Sequence, residues 1–505
     1  MLFLVAALLT PSGAISGVAE AFGVHEIGQQ VLSSSVPTRV ESLDSGVRLA
    51  PAALDPRSAT GDGINTVFPW TIPTSGALTP GGNSTLLVPD AGATTHGSST
   101  ASTIGASTTR VDLALLPRLT GVPLLDQLTL LPRGDLSRFV SEHPDALKQL
   151  VADPPAARDV SAWWASAPAS GRASLLATAP TFVGNLSGVP FDVRNSANRG
   201  SLKHSIAELK GSIKGLGRGE VVSARLQLQM LEKVRDALKP SRDGQPKSLL
   251  TFDAAHSGRA AIAVGDISTA DYVSYLVPGM FFSVDTALGT WTKVATELND
   301  EQSKWVSLLA QTDPTMKGKT VATVAWIGYQ TPGITDVTSL ALADEGASLI
   351  GQAIDGVQAV RAGSEPFVTV IGHSYGSTAA MIELANGGMH VDALALIGSP
   401  GSAAQSASEL SVPRGNVFVG EAAWDPVVNS AFYGSDPGSG AFGANRMSVA
   451  GGVDPITHRA LTASAGHLGY FEPGSEAMRN LALIGLGHGA LVTQGTTMDA
   501  SRTLD

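Results

Sequence analysis

A serine between two glycines is the feature of this sequence that best fits a chemical role. It lies in the run Gly372-His373-Ser374-Tyr375-Gly376. A serine hydroxyl can attack a carbonyl carbon once a base removes its proton, and the acyl group is then held covalently. Glycines two residues either side allow a strand to turn sharply into a helix, because side chains there would clash across the turn. The spacing therefore predicts that Ser374 is a nucleophile.

The residues on either side of this turn match the strand and the helix that it requires. Residues 366–371 form an apolar, strand-like run, and residues 376–385 have helical spacing with small residues in the first turn. The alternative is a tight turn without catalysis, since a chain with 56 glycines carries such a pentapeptide easily by chance. The order of strand, turn and helix favours the catalytic interpretation.

A base is expected downstream, because an activated serine needs a histidine to accept its proton and a carboxylate to orient that histidine. Four histidines follow Ser374, namely His390, His458, His467 and His488. His467 lies on a glycine-flanked loop after the last predicted strand and before the last helix, and it is therefore the predicted base. One alternative is that His458 is the base. The other is that His467 is a loop histidine without a catalytic role.

The acid is predicted to be Asp425, which follows the buried-strand run of residues 416–420. Asp436 is its chief rival and Glu421 is a weaker one. Both aspartates precede a proline, and an Asp-Pro pair is often only the start of a turn. Asp425 is thus the predicted acid, and Asp436 and Glu421 remain the alternatives.

The negative oxygen of a tetrahedral intermediate needs N–H donors beside the nucleophile. One is predicted to be the N–H of Tyr375, at the start of the helix. The second is expected from the loop after the third strand, where Gly279 permits close approach and either Met280 or Phe281 donates. Three aromatic residues near the carboxyl ends of strands are predicted to line the substrate pocket, with core packing as the alternative: Phe282, Tyr329 and Phe471.

The elements that must position these residues follow from the alternation of apolar strand-like runs with helical patterns over residues 246–495. This alternation is typical of a mostly parallel sheet with helices on both faces. The first two strands are predicted to form an antiparallel hairpin, and helices join the others. Eight strands are predicted, at residues 249–254, 259–265, 272–278, 319–326, 367–372, 391–397, 416–420 and 446–450.

The first half of the chain divides by composition into three parts. Residues 1–22 contain an apolar run typical of a signal peptide, which indicates a secreted or cell-surface protein. No basic residue precedes the run, so an ordinary apolar segment of a cytoplasmic protein is the alternative. Residues 23–130 are rich in Ser, Thr, Gly and Pro and are predicted to be extended. Residues 131–245 show helical spacing and form a predicted cap-like segment, with an ordered loop at residues 182–190.

The composition of the chain limits the classes of partner that it is expected to bind. The formal charge of −11 is spread without a basic run, so nothing indicates nucleic-acid binding. The absence of cysteine excludes disulfides and a thiolate nucleophile. Nothing in the sequence indicates a cofactor or a metal, and no apolar run reaches the roughly 20 residues of a transmembrane span. The expected partner is a small-molecule or lipid-like acyl substrate, with peripheral association with the cell envelope left open.

Several separated motifs together resemble one protein family. They are residues 183–190 with 197–199, 276–279, 325–329 with 331–332, 372–376, 398–401, and Gly466-His467 with Tyr470. Over about residues 160–490 the chain resembles a bacterial α/β-hydrolase-fold family known mainly as a domain of unknown function. The resemblance implies that fold and a triad of Ser374, Asp425 and His467, and it implies no substrate.

The leading functional hypothesis is hydrolysis of a carboxylic ester or related acyl bond through an acyl-enzyme. A second hypothesis keeps the acyl-enzyme but transfers the acyl group to a sugar or lipid hydroxyl. A third is a non-catalytic surface or interaction module that retains the fold. The relative positions of Ser374, His467 and Asp425 distinguish the enzymes from this third class.

Overall fold

The structure is a computed structural model that describes Leu113, residues 115–241 and residues 244–495. The apolar segment at residues 1–22 lies outside the described residues. So does most of the predicted extended region at residues 23–130.

One eight-stranded sheet forms the centre of the described chain. Its strands are β1 (Lys247–Asp253), β2 (Arg259–Val264), β3 (Tyr272–Val277), β4 (Val321–Ile327), β5 (Phe367–His373), β6 (Ala393–Ile397), β7 (Val417–Gly420) and β8 (Asn445–Arg446). The strand order is β1-β2-β4-β3-β5-β6-β7-β8. β2 runs antiparallel to β1 and β4, and the other neighbours are parallel. The predicted mostly parallel sheet, including its hairpin, is confirmed, although β8 is shorter than expected because it pairs only with β7 at the sheet edge.

Helices precede the sheet and cover both of its faces. They are α1 (Gly121–Leu130), α2 (Arg133–Glu142), α3 (Pro144–Ala152), α4 (Ala157–Ser166), α5 (Ala169–Thr178), α6 (Pro180–Asn185), α7 (Phe191–Ser212), α8 (Arg218–Ala237), α9 (Val284–Leu309), α10 (Ala341–Val360), α11 (Tyr375–Ala385) and α12 (Glu476–Gly485). Within the part of the chain that the structure describes, no helix is long and apolar enough to cross a membrane.

The central strands are continuous apolar runs because both of their faces are buried. Every residue of β4 and of β6 is buried. In β3, Leu276 contributes to the core beneath α9 and α12, whereas Tyr275 and Val277 contribute to the core beneath α10 and α11. Burial on both faces removes the polar alternation that a half-exposed strand would show.

The helical segment begins earlier than the predicted boundary at residue 131. α1 starts at Gly121, and α1 to α6 enclose an apolar cluster of their own. The predicted loop at residues 182–190 is helical in its first part, because α6 continues to Asn185. A Cβ on Gly184 would lie 2.0 Å from Oδ1 of Asn198, so glycine in this helix allows α7 to approach closely.

Polar side chains of α6 and α7 bind the outer edge of β1. Asn185 accepts a hydrogen bond from the N–H of Phe252 at 2.9 Å and donates to its carbonyl at 2.8 Å. Asn198 donates to the carbonyls of Gly184 and Leu249 at 2.9 and 3.1 Å. These contacts occupy an edge that could otherwise pair with another strand. Three more residues of α7 form hydrogen bonds with the backbone of β1, namely Arg194, Asn195 and Arg199.

Replacing Asn198 with alanine is expected to lower the free energy of unfolding by about 1–3 kcal/mol, because the buried carbonyl of Leu249 would lose this donor while that of Gly184 would keep Arg194. Urea denaturation followed by circular dichroism measures the change. Lys203→Ala, at an exposed position of the same helix, is the control and should shift stability by less than about 0.5 kcal/mol. Equal denaturation midpoints for the two variants would contradict this account of the β1 edge.

Candidate active site

Ser374 lies on the sharp turn between β5 and α11. Its φ of 55° and ψ of −131° fall in a region that non-glycine residues rarely occupy. A Cβ on Gly372 would lie 2.6 Å from the Cα of Ser377, and one on Gly376 would lie 2.4 Å from the carbonyl oxygen of Pro278. Neither position can therefore hold a side chain without displacing backbone. The turn places Ser374 at the carboxyl end of β5, where its side chain is buried, with the backbone geometry of a nucleophile elbow.

His467 and Asp425 form a hydrogen-bonded pair at the end of β6. Nδ1 of His467 lies 2.9 Å from Oδ1 and 3.1 Å from Oδ2 of Asp425. A Cβ on Gly398, the residue after β6, would lie 2.8 Å from that carboxylate and 3.1 Å from the imidazole. The N–H of Ser374 donates to the carbonyl of Ile397 at 2.9 Å. The pair therefore lies against the carboxyl end of β6, the strand that borders the turn of Ser374.

The other imidazole nitrogen of His467, Nε2, is buried and makes no hydrogen bond to any residue within the described ranges. The structure thus joins His467 to Asp425 and puts Ser374 in the same corner of the sheet, without a direct hydrogen bond between Ser374 Oγ and Nε2. Such bonds are often long before substrate binds and shorten in the complex. Nε2 is thus the imidazole nitrogen of His467 that has no partner among the described residues.

The carboxylate of Asp425 is held in its ionised form. Burial raises its pKa, but the charge and hydrogen bond of His467 outweigh that effect, with help from Tyr470 and Val427. The Tyr470 hydroxyl donates to Oδ2 at 2.6 Å, and the N–H of Val427 donates to Oδ1 at 2.9 Å. The net result is a pKa below the ordinary aspartate value. Asp425 therefore stays negative and fixed in orientation at neutral pH.

Tyr470 is the part of this site that the sequence analysis did not assign. Its hydroxyl accepts from the N–H of Ala422 at 2.8 Å while it donates to Asp425. Burial and the nearby carboxylate raise the pKa of Tyr470 well above its usual value, so the hydroxyl remains a donor. The available signal was the occurrence of Tyr470 beside Gly466 and His467 in the family motif. Tyr470 acts as a positioning residue for Asp425.

Tyr470→Phe is expected to lower kcat for ester hydrolysis about tenfold, because a hydrogen bond to a buried carboxylate is lost. Loss of that donor raises the pKa of Asp425, so the acid limb of the pH–rate profile should move to higher pH. The profile is measured with a soluble chromogenic ester. Tyr272→Phe, on the first residue of β3, is the control and should leave the limb in place. An unmoved limb in Tyr470→Phe would contradict the positioning role.

His373 connects the nucleophile turn to the loop that carries the base. Its Nε2 lies 2.8 Å from the carbonyl oxygen of His467, and because a carbonyl can only accept, the proton lies on Nε2. Burial, and next the charge of His467, lower the pKa of His373 to about 3, so this ring is neutral. Its ring packs among the aromatic side chains of Phe282, Trp291, Tyr470 and Phe471.

The loop after β3 lies directly against the nucleophile. A Cβ on Gly279 would lie 2.4 Å from Cβ and 2.9 Å from Oγ of Ser374. Only glycine lets this backbone approach so closely. The loop predicted to supply an oxyanion donor is thus in contact with the serine.

The two candidate donors of that loop differ in their partners. The N–H of Phe281, whose φ is 67°, donates to the carbonyl of Pro332 at 3.1 Å. This bond leaves Met280 as the candidate for the second donor. Tyr375 begins α11, and the first N–H groups of a helix have no partner within the helix. Met280 and Tyr375 are therefore the pair best able to bind an oxyanion.

The aromatic residues predicted to line the substrate pocket are packed in the core of this structure. Phe282 and Phe471 pack edge-on against Trp291, with ring centroids 5.1 and 5.2 Å apart. Tyr329 lies in the core on the other face of the sheet and donates its hydroxyl to the carbonyl of Pro278 at 2.7 Å. All three are buried because the sheet and its covering helices enclose them. The Tyr329 hydroxyl thus binds the loop that contains Gly279.

The alternative base, His458, and the alternative acids, Asp436 and Glu421, do not contact the imidazole of His467. His458 is exposed in a turn outside the sheet. Asp436 accepts from the N–H of Gly438 at 3.0 Å, as the start of a turn. Glu421 pairs with Arg446 at 2.7 Å. Asp425 is therefore the acid that contacts the imidazole of His467.

A family model described as alpha/beta hydrolase matches residues 253–435. An uncharacterised protein of Mycobacterium bovis is 32% identical over 215 residues, which are 40% of this chain and 74% of that relative. The chain belongs to this alpha/beta hydrolase family. The predicted resemblance to an α/β-hydrolase-fold family is confirmed.

Longer relatives of the alpha/beta hydrolase family also match. An uncharacterised protein of Mycobacterium tuberculosis is 30% identical over 391 residues, which are 67% of this chain and 57% of that relative. The chain thus spans little more than half the length of that protein.

Solved esterase structures are similar over about half of the chain. A carboxyl esterase from the fungus Tuber melanosporum has a TM-score of 0.28 and 12% identity, over 49% of this chain and 88% of that one. A hyperthermophilic esterase from the archaeon Pyrobaculum calidifontis has a TM-score of 0.29 and 13% identity, over 57% of this chain and 97% of that one.

Proposed function

We propose that this alpha/beta hydrolase is a serine hydrolase that cleaves a carboxylic ester or related acyl bond. The observation that carries the proposal is the hydrogen-bonded pair of His467 and Asp425 beside the turn that holds Ser374. A histidine with one nitrogen fixed by a carboxylate and the other unbonded is prepared to act as a general base. The loop of Gly279 against the serine adds the donors that acyl transfer needs.

In the proposed reaction, Nε2 of His467 takes the proton of Ser374 as Oγ attacks the carbonyl carbon of the ester. Asp425 keeps the proton of the imidazole on Nδ1 and stabilises the imidazolium that forms. The imidazolium then protonates the leaving alcohol, and the acyl group remains on Oγ. Water attacks this acyl-enzyme with the same base, releasing the acid and restoring the serine.

The oxyanion of each tetrahedral intermediate would accept hydrogen bonds from the N–H groups of Tyr375 and Met280. Each such donor typically contributes about 3 kcal/mol to transition-state stabilisation. The positive end of the α11 dipole lies at the same place and favours the developing negative charge.

Labelling with a fluorophosphonate probe tests the proposal, because the probe reacts with activated serines. Wild-type protein should be labelled on Ser374, and His467→Ala should lose labelling because the hydroxyl would lose its base. His458→Ala is the matched control, since it removes a histidine that is exposed, and should label as wild type does. Equal labelling of both variants, or none of folded wild type, would contradict the proposed serine hydrolase.

A further inference from the structure

Trp424, which directly precedes Asp425, is exposed to an unusual degree for a tryptophan. It is 89% exposed and has a φ of 64°. The other five tryptophans of the described chain are at most 6% exposed. Bulky residues rarely adopt positive φ, and such backbone is found preferentially at functional sites. Packing within the protein therefore does not explain why this ring is held in solvent.

Two other exposed apolar side chains, Ile334 and Phe432, lie on the loops that follow the parallel strands β4 and β7. The carboxyl ends of these strands meet at the edge of the sheet where β5 carries Ser374. We call the set the apolar rim; it consists of Ile334, Trp424 and Phe432.

Hydrogen bonds join the loops of the apolar rim to one another and to the site. The hydroxyl of Tyr433 donates to the carbonyl of Val337, which links the loops after β7 and β4. The N–H of Gly466 donates to the carbonyl of Ala423 at 2.7 Å, which links the loop of His467 to the residue before Trp424. The apolar rim is thus continuous with the proposed catalytic site.

We infer that the apolar rim docks the protein on a neutral lipid surface, from which an ester substrate reaches Ser374. The inference rests on the proposed function, because the site beside the rim is the one assigned to acyl esters. Charge favours a neutral surface: the chain carries a formal charge of −11, which an anionic membrane would repel. Tryptophan is favoured where lipid meets water, because its ring is apolar and its N–H remains hydrated.

Vesicle binding of the full chain tests this inference, with Ser374→Ala as the background so that no substrate is consumed. The Ser374→Ala protein should cosediment with phosphatidylcholine vesicles, and brominated phosphatidylcholine should quench its tryptophan emission. Adding Trp424→Asn should weaken the partition about tenfold, since an apolar ring leaves the interface. Asparagine is chosen because it tolerates positive φ, which keeps Asp425 in position.

Two further variants make the result specific. Adding Ile334→Ser should also weaken the partition, at a distance in sequence from Asp425. Leu226→Gln, which removes an exposed apolar side chain of α8 outside the apolar rim, is the matched control and should bind as the background does.

The inference would be overturned by equal partition of the rim variants and the background, or by binding to anionic vesicles alone. It would also be overturned if Trp424→Asn abolished dimer formation in analytical ultracentrifugation, which would identify a second copy as the occupant. Binding needs no turnover, so the two proposals fail separately. Vesicle binding without probe labelling counts against the serine hydrolase, and labelling without vesicle binding counts against the docking surface.

Discussion

Ser374→Ala should lower kcat/KM for hydrolysis of a soluble acyl ester by about 10⁴-fold or more. Without Oγ no acyl-enzyme can form, and only donors and binding groups remain to assist water. A chromogenic short-chain ester measures the rate, and thermal denaturation verifies that the variant folds. Activity within tenfold of wild type would mean that Ser374 is not the nucleophile, whatever the geometry of its turn.

Asp425→Asn should lower kcat by about 10³- to 10⁴-fold while leaving the fold intact. The Tyr470 hydroxyl and the N–H of Val427 each donate to one carboxylate oxygen, whereas an amide has a single oxygen, so its N–H₂ group would displace one of these donors and donate to Nδ1 of His467. The imidazole would then carry its proton on Nε2, where it cannot accept one from Ser374. The ring of His467 would keep its position but would be in the wrong tautomer for catalysis.

Asp436→Asn is the matched control for this substitution. Asp436 also precedes a proline, and it accepts from a turn N–H instead of the imidazole. Its kcat should stay within about twofold of the wild-type value, as for most surface substitutions away from special contacts. Equal losses in both variants would show that the decrease reflects general destabilisation.

The order and spacing of elements around the site could be predicted because those signals are local. Strands buried on both faces must be apolar along their length, so β4 and β6 are visible as runs of sequence. The turn at Ser374 needs glycine at two fixed positions, since any Cβ there would meet backbone. Both requirements act between residues that are close in the chain.

Features that depend on distant residues could not be read in this way. The helix at Pro180–Asn185 contains Gly184, which disfavours a helix locally but allows contact with Asn198. The aromatic residues predicted to line a pocket pack as core, because residue type alone does not distinguish the two environments.

The sequence by itself determined the class of sheet, the nucleophile candidate and a short set of candidate bases and acids. Only the tertiary structure decided that Asp425 contacts His467, that Tyr470 fixes the carboxylate, and that Pro332 occupies the N–H of Phe281. The physical reason is that hydrogen bonds form between atoms a few ångströms apart in space, whatever their separation along the chain. Periodicity and glycine requirements can be read from neighbouring residues, whereas these partners meet only once the sheet has brought their loops to one edge.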